Sequence, residues 1–118
     1  MRVTASFRDF VLDQLSTIPH VRARAMFGGA GLYADDVFFG ILAADVLYFK
    51  VDDTNRRDYV AAGAQPFRPF ADQTMTMSYY DVPAGVLEDA ATLTAWARRS
   101  IEIAKSGRKP KRTSTRGR

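Results

Sequence analysis

Between Thr4 and Ile18 the apolar residues Phe7, Phe10, Val11, Leu15 and Ile18 recur at helical spacing, and Arg8, Asp9, Asp13 and Gln14 fill most of the polar positions between them. This predicts a first helix with Thr4 as its N-cap. Pro19 ends it, because proline disfavours helical geometry in the residue before it and donates no backbone hydrogen bond. The next stretch changes period. Met26-Phe27, Leu32-Tyr33, Val37-Phe38-Phe39, Ile41-Leu42 and Val46-Leu47-Tyr48-Phe49 are short aromatic and β-branched runs, and Asp35-Asp36 and Ala44-Asp45 are connections short enough for hairpins. They predict a three-stranded antiparallel meander over residues 25–33, 37–43 and 46–51.

Asp52-Asp53-Thr54 offers capping chemistry for a short second helix through Tyr59 and Val60, closed by Gly63. Pro66, Phe67, Pro69 and Phe70 read as an edge strand, since proline in a sheet is confined to edges and strand starts. Residues 75–80 alternate Met75, Met77 and Tyr79 against Thr76, Ser78 and Tyr80, the period of a fifth strand. Asp89 can cap a last helix whose stripe is Leu93, Trp96, Ala97, Ser100, Ile101 and Ala104, ending near Ser106-Gly107. The expected fold class is α+β, in the order α-β-β-β-α-β-β-α, with one antiparallel five-stranded sheet covered by helices on at least one face. The expected core is Phe10, Leu15, Ile18, Phe27, Phe39, Ile41, Leu47, Phe49, Met77, Leu93 and Trp96.

Composition changes the picture in two places. The chain has 118 residues, 47% of them hydrophobic and 25% charged, which fits one ordinary globular domain. The absence of cysteine removes disulfides and thiolate chemistry, in keeping with a reducing cytoplasm. No apolar run is long enough to span a membrane, and the N-terminus lacks the apolar centre of a signal peptide, so a cytoplasmic protein is expected. The net charge of +4 is unevenly placed. All the acidic residues lie in residues 1–105, whereas residues 106–118 hold Arg108, Lys109, Lys111, Arg112, Arg116 and Arg118 with no acid and no large apolar group. Residues 106–118 are therefore expected to be a disordered basic tail after a domain at 1–105. Two readings of the tail compete: a solubilising arm, and a polycation that displaces counterions from nucleic acid and binds it without sequence preference.

Candidate chemistry is sparse. Phe27-Gly28-Gly29-Ala30-Gly31 resembles a phosphate loop only in its glycines, because it leads into a strand where such loops lead into a helix. A bulge or a close backbone approach is the expected role. Arg22, Arg24 and Lys50 stand near strand ends; they either converge to receive an anion or a partner's carboxylate, or lie along the sheet edge with their heads in water. The carboxylate pairs Asp35/Asp36, Asp52/Asp53 and Glu88/Asp89 are accounted for by caps and turns, without the alternation of a calcium loop. His20, the one histidine, sits at a helix exit, where solvation is its simplest state. Candidate nucleophiles have no visible base, so no catalytic, cofactor-binding or metal-ligating residue is expected. Tyr48, Phe49, Tyr79 and Tyr80 invite comparison with base-stacking sheets, but the RNA-recognition pattern is missing.

Several short motifs occur in order at family-like spacing. These are Arg24-Ala25-Met26-Phe27-Gly28-Gly29-Ala30-Gly31-Leu32-Tyr33, Phe39-Gly40-Ile41, Leu47-Tyr48-Phe49-Lys50-Val51, Tyr59 with Gly63, Phe67, Met77-Ser78-Tyr79-Tyr80 with Val82-Pro83, and Leu93 with Trp96-Ala97-Arg98-Arg99. Together they resemble the N-terminal domain of the TfoX/Sxy proteins, regulators of natural competence. The resemblance implies an α+β fold like that of secretion chaperones, and no catalytic residues. It marks Arg24, Met26, Phe27, Gly28, Gly29, Gly31, Lys50, Tyr79 and Tyr80 as motif and interaction positions. The expectation is a non-enzymatic domain that works in transcription-related regulation through a protein partner, with weak nucleic-acid affinity from the tail. The alternative is a homo-oligomeric, homodimeric or chaperone-like interaction module with no nucleic-acid role.

Overall fold

In a computed structural model of the chain, residues 2–26, 28–67 and 78–108 are described. The architecture is α+β: helix α1 (Ala5–Gln14), strands β1 (Val21–Met26), β2 (Gly29–Ala34), β3 (Val37–Ala43) and β4 (Val46–Lys50), helix α2 (Arg56–Ala61), strand β5 (Tyr79–Asp81), and helices α3 (Ala84–Leu87) and α4 (Ala90–Arg108). The five strands form one antiparallel sheet in sequence order.

The first correction concerns the glycine motif. The single strand expected at 25–33 is a hairpin: Met26 lies opposite Gly29, and Gly28 takes φ 81° in the turn, a conformation that costs glycine nothing. The meander therefore has four strands. Phe27 lies outside the described residues. Beyond the second helix, Pro66 makes an isolated bridge to Tyr80, and the Phe67 and Asp81 amides donate to the Tyr79 and Gln65 carbonyls. The expected edge strand is thus present as a short bridged segment, while its remainder, with Pro69 and Phe70, and the 75–77 part of the fifth strand, with Met77, lie outside the described residues.

Thr4 caps α1 as expected, its hydroxyl accepting from the Phe7 amide. The helix ends four residues before Ile18, because the chain tightens into turns ahead of Pro19, with the Ser16 amide on the Asp13 carbonyl and the Ile18 amide on Leu15. Asp52 closes a turn by accepting from the amide and hydroxyl of Thr54, and α2 itself starts after Asn55, so the Asp-Asp-Thr run shapes the approach to the helix and does not cap it. Asp89 does cap α4, accepting from the Ala91 and Thr92 amides. The four-residue helix α3 was not anticipated. Helix α4 runs to Arg108, so the first basic residue assigned to the tail is still helical, and residues 109–118 lie outside the described part.

The core lies between one face of the sheet and the helices: Val11, Leu15 and Ile18 from the first helical segment, Leu32, Phe39, Leu42, Leu47 and Phe49 from the sheet, and Leu93, Ala97, Ile101 and Ala104 from α4. Three expected core residues depart from this. Phe10 is 39% exposed, pointing off the buried stripe of α1. Ile41 is half-buried because the β2–β3 register shifts between Leu32 and Tyr33, which hands the next inward position to Leu42. Trp96 is also half-buried and packs at the rim against Tyr59, ring centroids 4.6 Å apart.

Candidate functional site

The hairpin about Asp35-Asp36 sets Tyr33 opposite Phe38, and β1 sets Arg22 opposite Tyr33 and Arg24 opposite Gly31. Directly opposed residues share a face, and this face is the one turned away from the core. At the far side Lys50 of β4 lies opposite Tyr79 of β5. The result is a row of rings across the face of the sheet on which none of the described helices packs: Tyr33 and Phe38 with centroids 5.2 Å apart, then Phe38 and Tyr79 at 5.6 Å. Beside it Tyr48 packs on Phe67 at 4.7 Å.

Cations bracket the row. The Arg22 and Arg24 guanidiniums each lie 5.6 Å from the Tyr33 ring centroid, and the Lys50 ammonium lies 5.2 Å from that of Tyr79. Such contacts contribute about 0.5–1 kcal/mol each at exposed sites and fix where the charged heads sit. Arg22 also donates to the Asp35 carbonyl. Among the described residues no carboxylate pairs with Arg22, Arg24 or Lys50. The cations do not converge on one point; they stand at opposite ends of the aromatic row.

Glycine makes this surface flat. A Cβ at Gly31 would come within 2.7 Å of Met26 Sδ and 2.9 Å of Phe38, so Met26 and the two rings close over the strand only because no side chain is there. At Gly29 a Cβ would run into the Leu42 carbonyl oxygen of β3. Burial and the neighbouring Tyr33 push the Tyr79 phenol up to about 12. Burial and the Asp81 charge raise Tyr48 as well. These phenols stay neutral near pH 7 and act as hydrogen-bonding apolar surface.

The remaining positions separate. Tyr80 lies opposite Phe49 and faces the helices, its ring 6.1 Å from that of Tyr59. Phe49, grouped with the tyrosines by sequence, is wholly buried. Tyr33 and Phe38 were missed as site residues, although the register of a two-residue turn at Asp35-Asp36 already pairs them. His20 contacts the Asp35 carboxylate through Nδ1 at 2.9 Å, both side chains well exposed. Among the described residues no three His, Asp or Glu side chains form a group suited to a metal ion. No described helix is long and apolar enough to cross a membrane.

None of the curated proteins matches the chain. The family model of the TfoX N-terminal domain covers residues 13–104, which takes in every strand of the sheet and the whole aromatic and cationic row. The chain therefore belongs to the TfoX N-terminal domain family.

Proposed function

We propose that this domain is regulatory and non-enzymatic, acting in a transcription- and competence-related role in the cytoplasm by holding a protein partner. The basic segment from Arg108 through Lys109, Lys111, Arg112 and Arg116 to Arg118 lends nonspecific nucleic-acid affinity. The observation that supports this reading is the outer face of the sheet, free of helices among the described residues, where Arg24 and Lys50 are held on Tyr33 and Tyr79 with no carboxylate partner among those residues. Half-buried rings with oriented cations at their ends suit adhesion to another protein, where aromatic and arginine residues dominate binding.

The test uses the full chain and a chain lacking residues 109–118. Immobilised and exposed to native lysate at about physiological ionic strength, both are expected to retain the same discrete protein. Against duplex DNA, the truncated chain is expected to lose most affinity, its salt slope becoming shallower by about 4–5, since each neutralised phosphate contributes about 0.9. Capture that vanishes with the tail overturns the protein-contact reading, whereas weakening by salt is expected of exposed cations. DNA binding untouched by the truncation overturns the tail assignment.

A further inference from the structure

The two edges of the sheet are finished differently. Beyond β5, residues 65–67 supply the Pro66 bridge and two backbone hydrogen bonds. Beyond β1, none of the described backbone groups pairs with the outer edge. The hydrogen-bond phase identifies its open groups. The Asp35 amide donates to the His20 carbonyl, so His20–Asp35 is a bonded pair, and by alternation Arg22, Arg24 and Met26 bond inward to β2. The N–H and C=O groups of Val21, Ala23 and Ala25 therefore point outward, unused by β2.

The two sides of this edge differ in chemistry. Towards the outer face of the sheet stand Arg22 and Arg24, exposed and steadied on Tyr33. Towards the helices, Ala23 and Ala25 line a cavity of about 300 Å³ together with Val3, Arg8, Gly28, Gly29 and Ala30. A strand laid along β1 thus meets Arg22 and Arg24 on one side and, on the other, a hollow of small residues walled in part by Val3 and Arg8.

We propose that the β1 edge takes up an extended segment of a partner protein in which acidic and apolar residues alternate, adding a sixth strand to the sheet. This deepens the protein-contact reading above and rests on it. The acidic side chains lie beside Arg22 and Arg24, the apolar ones enter the hollow by Ala23 and Ala25, and the open groups of β1 supply the ladder. A second copy of the chain is the poorer occupant. Two-fold pairing centred on Ala23, the register that uses all three open residues, sets Arg22 opposite Arg24 of the second copy and Arg24 opposite its Arg22, and like charges directly opposite are destabilising.

The probe is a fluorescent seven-residue peptide of alternating valine and glutamate, titrated against the full chain by polarisation, with a valine–lysine peptide as control. The glutamate peptide is expected to bind at least tenfold tighter than the lysine one. The double variant Arg22→Glu/Arg24→Glu should invert that preference. Arg24→Glu alone, which leaves the Arg22 bond to Asp35 intact, should weaken glutamate binding severalfold while lowering the melting temperature by only a few degrees. Two N-methylated peptides complete the test, one blocked at the valine amides and one at the glutamate amides. Only one amide set faces β1, so one peptide should lose binding and the other keep it: loss with methylated valine means an antiparallel added strand, and loss with methylated glutamate a parallel one.

Equal binding of both methylated peptides, or a preference indifferent to charge reversal, overturns the edge assignment. So does oligothymidylate binding that is lost in the same variants while the peptide never binds. If the lysate partner persists on the charge-reversed chain, the edge proposal falls and the contact reading stands. If no partner is captured by the unaltered chain, the contact reading falls by itself.

Discussion

The Lys50 carbonyl is the point where the sheet, α2 and α4 are joined, and a double-mutant cycle can measure the joint. The β3–β4 register ends at Gly40 opposite Phe49, so Lys50 has no paired residue in β3. Its carbonyl accepts instead from the Ser100 hydroxyl at 2.7 Å and from the Asn55 side-chain amide at 3.3 Å. Ser100 is wholly buried and Asn55 nearly so, and Asn55 Oδ1 also accepts from the Asp52 amide at 2.8 Å. Ser100→Ala removes one net hydrogen bond and should cost about 1 kcal/mol, because Asn55 still serves the carbonyl. Asn55→Ala removes two and should cost about 1–2 kcal/mol. The double variant leaves a buried carbonyl with no partner, a penalty of about 1–3 kcal/mol in itself, so its loss should exceed the sum of the singles by about 1 kcal/mol. Urea unfolding at 25 °C measures all four corners; with a slope of about 1–2 kcal/mol per molar, that excess moves the midpoint by roughly 0.5–1 M. Simple additivity, or a double variant milder than the sum, would refute the shared-acceptor argument.

Tyr79 ties stability to alkali: an unfolded tyrosine ionises near about 10, whereas burial beside Tyr33 moves Tyr79 to about 12, so the folded state prefers the neutral phenol. Its contribution is complete below about pH 10 and is lost as pH rises towards 12; Tyr79→Phe should flatten that part of the stability profile, read by urea unfolding at stepped pH. Gly29→Ala should destabilise by about 3 kcal/mol or more, and Gly31→Ala by only about 1–2, because the first meets the fixed Leu42 backbone and the second meets side chains that can shift; thermal melts that reverse the order would contradict the assignment. Ala44 sits at φ 52° in the β3–β4 turn. Ala44→Gly relieves a left-handed cost of about 1–2 kcal/mol against about 0.5–1 kcal/mol of added unfolded-chain entropy, so the melting temperature should rise slightly.

The parts of the fold legible in the sequence are those in which local chemistry and periodicity agree. Thr4 before an amphipathic run, Asp89 before the Leu93–Ala97–Ile101 stripe, and the two-residue turns at Asp35-Asp36 and Ala44-Asp45 each specify their element within a few residues. The β1–β2 hairpin was hidden because Arg22-Ala23-Arg24-Ala25 carries little apolar signal. It is an edge strand whose outward groups find no partner among the described residues, so nothing selected β-branched residues there. Ile41 was misplaced for another reason: a register shift changes which residue faces inward, and sequence alternation carries no mark of it. Of the site, Arg24, Lys50 and Tyr79 were visible as residues, but their common face was not, since it depends on pairing four strands in the right phase.

That phase also explains why the same strand reads as poor in apolar residues and yet rich in partner chemistry. An edge strand made of apolar residues would pair indiscriminately, so its exposed backbone is a hazard unless the side chains discriminate. Arg22 and Arg24 discriminate: they lie opposite Tyr33 and Gly31, where the ring orients them and the missing side chain gives them room. Replacing Tyr33 by leucine keeps apolar bulk while removing the ring that steadies the guanidiniums. With two cation–π contacts and the Tyr33–Phe38 ring pair lost, it should cost about 1–3 kcal/mol and lower the melting temperature, and the charge selectivity of β1, read well below that temperature where the variant is folded, should fall as well.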